Sequence, residues 1–343
     1  MDAIIPPLRP SGNSTTNNTA SVLIVGAGPA GVAAAMALAR QQHSVLLFGD
    51  SVYRNGRDGH AHHSTIPEIE GRPSNFGPAA RDNMLAQHGA YVSYREVTIV
   101  QVIQANVSSA FIFTVVDARG RQYHGRKLIL ASGVEDILLP IDGYAACFGR
   151  AIFPRLQCTG YEPRSRQTRR AGVLAVGLFA QAAVAVHVAK QAACLVTERV
   201  TVYTNGDAVL GEEIQRVLAT TTLTTTTTIM VIDTRSIHRF VLLDASLRLD
   251  FTDGTSRDDS FLAHAPATRP RGPFVAQLGL ALTSEGDIWV QLPGYRTSVP
   301  GVFAAGDNCT AHMKSVPHAM LSGHVAGMGA ATQISDDVTA GVL

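Results

Sequence analysis

Charged, aromatic and cysteine residues are all scarce in this chain. Of 343 residues, 16% are charged and 6% are aromatic, and 28 Lys and Arg nearly balance 27 Asp and Glu. The net charge of +1 gives no electrostatic case for binding nucleic acid or an anionic membrane surface. The four cysteines form no Cys-x-x-Cys pair; they are Cys147, Cys158, Cys194 and Cys309. Their spacing excludes a disulfide scaffold and a zinc ribbon, and it fits a reducing compartment, so we expect a cytoplasmic protein.

The sequence also shows no signal peptide and no convincing membrane span. Residues 1–19 are rich in Pro, Ser, Thr and Asn, which predicts a disordered N-terminal arm. Residues 171–189 are almost wholly apolar and long enough for a transmembrane helix. Because Gly172, Gly177 and Gln181 interrupt this stretch, we expect a buried strand that turns into a helix and no contact with a membrane.

The chain does contain a repeated strand–helix–strand pattern within a sequence that is 46% apolar. Residues 21–25, 32–40 and 44–48 form a unit of about thirty residues, the size of a mononucleotide-binding half. Residues 173–203 repeat the pattern. An α/β fold with two nucleotide-binding halves follows from this repetition.

The C-terminal segment is predicted to complete the first half. We predict strands at 288–291 and 301–305 and a final helix at 319–332. The predicted domains are the disordered arm 1–19, a discontinuous dinucleotide-binding domain 20–138 and 272–343, and a degenerate dinucleotide-binding-like domain 139–271.

A glycine loop lies between the first predicted strand and helix. Gly26-Ala27-Gly28-Pro29-Ala30-Gly31 has the form G-x-G-x-x-G, and Asp50 ends the next strand. Gly26 permits the tight turn, Gly28 lets the backbone approach a pyrophosphate, and Gly31 lets helix and strand pack closely. The Asp50 carboxylate would accept hydrogen bonds from a ribose, so we predict a dinucleotide site.

Two further motifs indicate which dinucleotide binds. Thr297–Asp307 reads T-S-V-P-G-V-F-A-A-G-D and closely resembles a signature of the thioredoxin-reductase-like FAD enzymes. Ala131-Ser132-Gly133 resembles their A-T-G strand end. The resemblance extends from Ser21 to Thr332. It implies two Rossmann-like, three-layer ββα domains of the thioredoxin reductase type, FAD as the cofactor, and a homodimer.

The glycine loop and the resemblance together give a set of predicted FAD-binding residues. They are Gly26, Gly28, Pro29, Ala30, Gly31, Asp50, Arg54, Asn55, His63, Ala131, Gly133, Gly306, Asp307, His318 and Ala319. The resemblance implies that Asp307 binds the ribityl chain. It also aligns His318-Ala319 with the Gln-Ala that such enzymes place beside the pyrimidine edge of the flavin.

The redox-active cysteine pair of thioredoxin reductases is incomplete here. Cys158 lies in the segment C-T-G-Y-E, which is similar to the fungal gliotoxin-type dithiol oxidases, but Arg155 stands where the exchange cysteine should be. Thiol–disulfide exchange needs one thiolate to attack and a second to resolve the intermediate. Cys158 is therefore interpreted as a small side chain against the flavin, with residual thiol oxidation as the alternative.

The second dinucleotide site has lost the residues that NADPH requires. Its turn has one glycine, Gly177, followed by the bulky Leu178 and Phe179 where a pyrophosphate needs space. The next strand ends in Thr204–Asp207, which contains no arginine for a 2′-phosphate. We predict that the fold is kept while the site is lost, as in gliotoxin-type oxidases that reoxidise FAD with dioxygen.

The catalytic candidates are His318, His60, His62 and Cys158. His318 is a candidate base or a stabiliser of reduced flavin, since His titrates near neutral pH; the alternative is a histidine that only packs or caps the helix. His60 and His62, together with His63, match an H-x-H of the gliotoxin-type enzymes. They line either a substrate pocket or a solvent-facing loop, and no metal is expected there.

These observations predict an FAD-dependent oxidase. It would dehydrogenate a small natural-product intermediate of fungal-type secondary metabolism, with dioxygen as acceptor and hydrogen peroxide as product. The alternatives are an NAD(P)H-dependent flavin reductase, a residual thiol oxidase and a flavin-binding protein without turnover.

Overall fold

The computed structural model describes residues 18–54, 73–105, 113–156, 169–220, 228–244, 246–310 and 314–339. These residues divide into two compact units. The first contains the described residues up to Glu135 and from Thr268 onward, and the second contains those within 136–267. The chain passes between the units within two strands, Val134–Ile137 and Ala267–Pro270, which pair with each other.

The strands and helices are numbered in chain order. The strands are β1 (Thr19–Val25), β2 (Val45–Gly49), β3 (Val92–Glu96), β4 (Ile99–Gln104), β5 (Phe113–Asp117), β6 (Gln122–Leu130), β7 (Val134–Ile137), β8 (Ile152–Phe153), β9 (Arg170–Leu174), β10 (Arg199–Tyr203), β11 (Ile229–Asp233), β12 (Ile237–Leu242), β13 (Leu247–Phe251), β14 (Ser256–Asp259), β15 (Phe261–Ala263), β16 (Ala267–Pro270) and β17 (Val302–Ala304). The helices are α1 (Pro29–Ala39), α2 (Pro73–His88), α3 (Tyr144–Cys147), α4 (Ala182–Ala193), α5 (Ala208–Ala219), α6 (Phe274–Leu278) and α7 (Val316–Thr339).

The first unit is built on a mixed sheet in the order β3-β2-β1-β6-β5-β4, with β17 also paired to β6. Pairs β3-β2, β2-β1, β1-β6 and β6-β17 are parallel, whereas β4, β5 and the first half of β6 form an antiparallel meander. Strand β1 is fully apolar from Val22 to Val25 because both faces of the parallel sheet are covered. The carboxyl ends of β1, β2, β6 and β17 therefore meet at one edge.

Helices α1 and α7 pack unusually closely in the first unit. A Cβ atom on Gly323 would lie 2.1 Å from the carbonyl oxygen of Ala30, and one on Gly327 would lie 2.8 Å from that of Ala34. Small residues on both helices thus allow backbone contact. This contact fixes the N-terminal turn of α7, which carries His318 and Ala319, against the turn that begins α1.

Gly323→Ala is expected to destabilise the protein because the added methyl group overlaps the Ala30 carbonyl. Overpacking costs about 1–3 kcal/mol, which lowers the Tm of a unit of about 200 residues, the size of the first unit, by about 2 to 12 °C. Met328→Ala is the matched control on the same helix, since Met328 is 49% exposed. Thermal unfolding of both variants checks the prediction, and equal Tm values for Gly323→Ala and the wild type would contradict it.

The second unit repeats the architecture with a parallel sheet in the order β11-β10-β9-β15-β8. Strands β12, β13 and β14 form an antiparallel sheet of their own. Helix α4 packs on β9 and β10, and α5 packs on α4 and β11, through a core rich in Ala, Val and Leu side chains. Both units are therefore Rossmann-like, and the predicted α/β fold class is confirmed.

Three details of the sequence prediction need correction or further definition. Residues 288–291 form no strand: Ile288 and Gln291 make only isolated bridges, and a turn begins directly after the run, at Leu292. Strand β1 begins at Thr19, inside the segment predicted as the disordered arm. The final helix is longer than predicted, Val316–Thr339.

None of the helices in the described ranges has the length and apolar character of a membrane span.

Candidate functional site

The glycine loop forms an open cradle at the start of α1. Gly26 has φ +111°, and a Cβ there would lie 2.1 Å from the Ala131 carbonyl oxygen, so only glycine fits. Gly28 is the N-cap residue of α1, makes no side-chain cap, and would meet no atom within 4 Å if it carried a Cβ. Pro29 follows as the first helical residue. An uncapped helix N-terminus beside open space is suited to an anion such as a pyrophosphate.

The structure brings other predicted motifs to this cradle. A Cβ on Gly306 would lie 3.0 Å from the Ala30 Cβ and 3.8 Å from the Ala319 Cβ. A Cβ on Gly31 would lie 1.8 Å from the Gly26 carbonyl oxygen, which shows how closely the helix approaches the turn. Residues from the glycine loop, the A-S-G strand end, the G-D motif and α7 are therefore neighbours.

Arg54 and Asp307 form an ion pair at the same edge of the sheet. The Arg54 Nη1 donates to Asp307 Oδ2 at 2.9 Å, and both side chains are 20% exposed. Within the described residues, the hydroxyl of Tyr53 and the Oδ1 of Asn308 are buried without a hydrogen-bond partner. Buried polar atoms without partners are rare, so these two atoms on either side of the ion pair are suited to a polar ligand.

Asp50 is paired with Arg271, a residue that the sequence analysis did not select. The Arg271 guanidinium donates to Asp50 Oδ2 at 2.5 Å and to the Val52 carbonyl at 3.1 Å. The Arg271 backbone N–H donates to the Gly133 carbonyl at 3.0 Å. A cavity of about 210 Å³ opens beside Asp50, lined by Glu96, Val97, Thr98, Asp117, Ala118 and Arg119. This cavity lies at the ends of β2 and β3.

The equivalent region of the second unit is different. Strand β9 leads into a short 3₁₀ turn, Gly177–Phe179, before α4. Leu178 is 55% exposed, and the Phe179 ring packs on His264 with centroids 6.0 Å apart. His264 follows the end of β15 and shares a hydrogen bond of 2.5 Å with the Tyr144 hydroxyl. Burial lowers the pKa of His264 to about 4, so the imidazole is neutral at pH 7.

The residues at the end of β10, positions 204–207, also carry no cation, and Arg235 of the adjoining segment between β11 and β12 is ion-paired with Asp233. Asn205 has φ +52° and its side chain accepts from the Ile237 N–H, and Gly206 has φ +94°. A Cβ on Gly206 would lie 2.6 Å from the Ser236 hydroxyl oxygen. Asp207 caps α5 by accepting from the Leu210 N–H at 2.9 Å. The left-handed backbone at positions 205 and 206 therefore disfavours the arginines that a 2′-phosphate needs.

Comparison with known proteins decides which family has this arrangement. The profile of the pyridine nucleotide-disulphide oxidoreductases matches residues 20–323. The chain belongs to that family. A thioredoxin reductase of Claviceps purpurea, tcpT, is 38% identical over 94% of this chain and 97% of its own length. Thioredoxin reductase sirT of Leptosphaeria maculans is 32% identical over 90% of this chain and 92% of its own.

Solved structures agree on the fold of this oxidoreductase. A thioredoxin reductase from Bacillus anthracis superposes with a TM-score of 0.77 at 21% identity, over 93% of this chain and 99% of that one. An oxidoreductase from Agrobacterium tumefaciens superposes with a TM-score of 0.75 at 25% identity, over 93% and 99%. The predicted resemblance to thioredoxin-reductase-like flavoproteins is confirmed, and the cofactor is FAD. The open cradle and the unpartnered atoms near Asp307 fit this cofactor.

Of the catalytic candidates, the structure describes only His318. His318 lies in the first turn of α7, half-buried, and its imidazole makes no hydrogen bond to a described residue. His318 lies close to the Gly306 turn, because the next residue, Ala319, contacts that turn. The other candidates lie outside the described residues: Asn55, His60, His62, His63 and Cys158.

Two residues at the cradle of the first unit were missed by sequence reasoning, Arg271 and Asn308, and so was His264 in the second unit. Each of them bonds or contacts a partner that is distant in sequence, such as Asp50 for Arg271. Asn308 is fully buried, and its Nδ2 donates to the Leu130 carbonyl at 3.0 Å, which ties the Asp307 turn to the end of β6. Its position directly after the G-D motif was the one available signal.

Proposed function

We propose that this oxidoreductase is an FAD-dependent oxidase that dehydrogenates a small natural-product intermediate of fungal-type secondary metabolism. Dioxygen is the electron acceptor in this proposal, and hydrogen peroxide is the product. The observation that supports it best is the set of residues at the ends of the β-strands in the second unit, where a dinucleotide would bind. There, Phe179 and a neutral His264 stand at the ends of β9 and β15, and positions 205 and 206 provide no cation. Neither the turn after β9 nor the end of β10 then offers a binding group to the phosphates of NADPH.

The cysteines support the same proposal. Arg155 occupies the sequence position of the exchange cysteine, so Cys158 has no neighbour for a C-x-x-C disulfide. Among the described cysteines, burial raises the thiol pKa of Cys147 to about 11 and that of Cys309 to about 12. Neither of these two thiols supplies a thiolate at neutral pH, and thiolates are the reacting species in exchange. The free thiols are consistent with the cytoplasmic location that we propose.

The residues of the first unit have separate tasks in this proposal. Gly26, Gly28 and the first turn of α1 hold the pyrophosphate, Asp50 with Arg271 orients the ribose, and Asp307 with Arg54 holds the ribityl chain. When bound, FAD supplies an acceptor for two electrons and a proton. His318 takes the accompanying proton from the substrate or stabilises negative charge on the cofactor, because its imidazole has no described partner. The homodimer implied by the resemblance is part of the proposal.

Reoxidation by air tests the oxidase directly, without knowledge of the substrate. We expect that the bound FAD, once photoreduced anaerobically, regains its oxidised spectrum on mixing with air-saturated buffer and releases one hydrogen peroxide per flavin. The measurements are stopped-flow absorbance and a peroxidase-coupled peroxide assay. Free FAD photoreduced in the same way is the control for uncatalysed reoxidation. A bound flavin that stays reduced in air for longer than the free cofactor would contradict the proposal.

A further inference from the structure

A buried ion pair lies next to the turn that carries Asp307. Lys314 Nζ donates to Asp287 Oδ1 at 2.7 Å, and the side chains of Lys314 and Asp287 are 11% and 2% exposed. Lys314 Nζ also donates to the carbonyl oxygen of Thr310. Lys314 lies in the segment between the G-D motif and α7, and the proposed function uses neither member of the pair.

The pair is connected to the Asp307 turn by short hydrogen bonds. The Thr310 hydroxyl donates to the Gly306 carbonyl at 3.0 Å, and the Ile288 N–H donates to the Asn308 carbonyl at 2.8 Å. Lys314 thus bonds the turn directly at Thr310, and the backbone of Ile288, the residue after Asp287, bonds it at Asn308. If one member of the pair lost its charge, the remaining charge would therefore lie beside the segment Gly306–Thr310.

Electrostatic coupling between the pair and the turn is also visible. Burial raises the pKa of Asp287, and the charges of Glu285 and Asp307 raise it further, whereas Lys314 lowers it. A buried ion pair contributes little to stability by itself, since desolvation of the two charges offsets their attraction. Removing one partner leaves a charge that is poorly screened by solvent.

We infer that Asp287 and Lys314 are positioning residues that set the electrostatic potential at the bound FAD. While both are present, their charges cancel and hold the Gly306–Thr310 turn in place. Loss of the carboxylate alone leaves the Lys314 ammonium uncompensated beside that turn. An added positive charge near a flavin favours its more negatively charged reduced form. This inference concerns the cofactor and does not depend on the identity of the oxidant or substrate.

The midpoint potential of the bound FAD tests the inference. Asp287→Asn keeps the shape and the acceptor oxygen for Lys314, and we expect it to raise the potential by about 30 mV, a tenfold change for a two-electron couple. The double variant Asp287→Asn/Lys314→Met removes both charges, and we expect its potential to return to the wild-type value. Lys314→Arg keeps the charge and should leave the potential unchanged.

The double variant separates an electrostatic role from a purely structural one. If the pair only held the turn, Asp287→Asn would shift the potential no more than the double variant does, and that result would overturn the inference. An unchanged potential in Asp287→Asn would overturn it as well. Titration of each apoprotein with FAD provides the second measurement: Asp287→Asn should bind oxidised FAD within about threefold of the wild type, which keeps folding and loading comparable.

Discussion

Gly28→Val is expected to yield a folded protein that has lost tight binding of FAD. Gly28 has φ −76°, which valine adopts without strain, and a Cβ there would meet no protein atom within 4 Å. The side chain would instead occupy the space in front of the α1 N-terminus, where the pyrophosphate approaches. Overpacking of about 1–3 kcal/mol corresponds to FAD binding that is weaker by about fivefold to 150-fold.

The measurements are the dissociation constant from titration of the apoprotein with FAD and the circular dichroism of the unloaded protein. Ala180→Val is the matched control, because Ala180 ends the corresponding turn of the second unit and is exposed. It should leave the dissociation constant unchanged. Wild-type affinity in Gly28→Val would mean that the pyrophosphate does not lie at this turn, and an unfolded variant would mean that the space near Gly28 is needed by the protein itself.

The glycine loop was predictable because its requirements are local. Gly26 and Gly31 are fixed by contacts within one strand–turn–helix unit, and the alternation of apolar strands with Ala-rich helices determined the fold class. The residues that were missed act over long sequence separations. Arg271 reaches Asp50 from 221 positions away, and Lys314 reaches Asp287 across 27. No spacing rule links such pairs, because all four residues lie in loops that only the folded chain brings together.

The same reasoning explains the wrong strand prediction at 288–291. The run Ile-Trp-Val-Gln is β-branched and aromatic, which favours an extended conformation, and the backbone there does make isolated bridges. A strand also needs a continuous neighbour, and neither side of this run has one. Residue composition indicates which backbone conformation a segment prefers, whereas the formation of a β-ladder depends on which strand lies beside it.

NADPH is expected not to reduce the bound FAD. Anaerobic mixing with NADPH in a stopped-flow instrument should leave the oxidised flavin spectrum unchanged for minutes, because neither the turn after β9 nor the end of β10 offers a binding group to its phosphates. Leu178 and Phe179 replace the small residues of a phosphate-binding turn, and Asp207 presents a carboxylate at the end of β10. NADH should also fail, since the turn obstructs the pyrophosphate that both cofactors share.

Photoreduction of the same sample is the positive control, since it must bleach the flavin and show that the cofactor is redox-active. An equilibrium measurement of NADPH binding by calorimetry separates two explanations of a negative result. No heat of binding supports the loss of the second site, whereas binding without bleaching would place the loss in hydride transfer instead. Bleaching within milliseconds would contradict our interpretation of Leu178 and Phe179, because an intact NADPH site would then exist in the second unit. The oxidoreductase would in that case be an NAD(P)H-dependent flavin reductase.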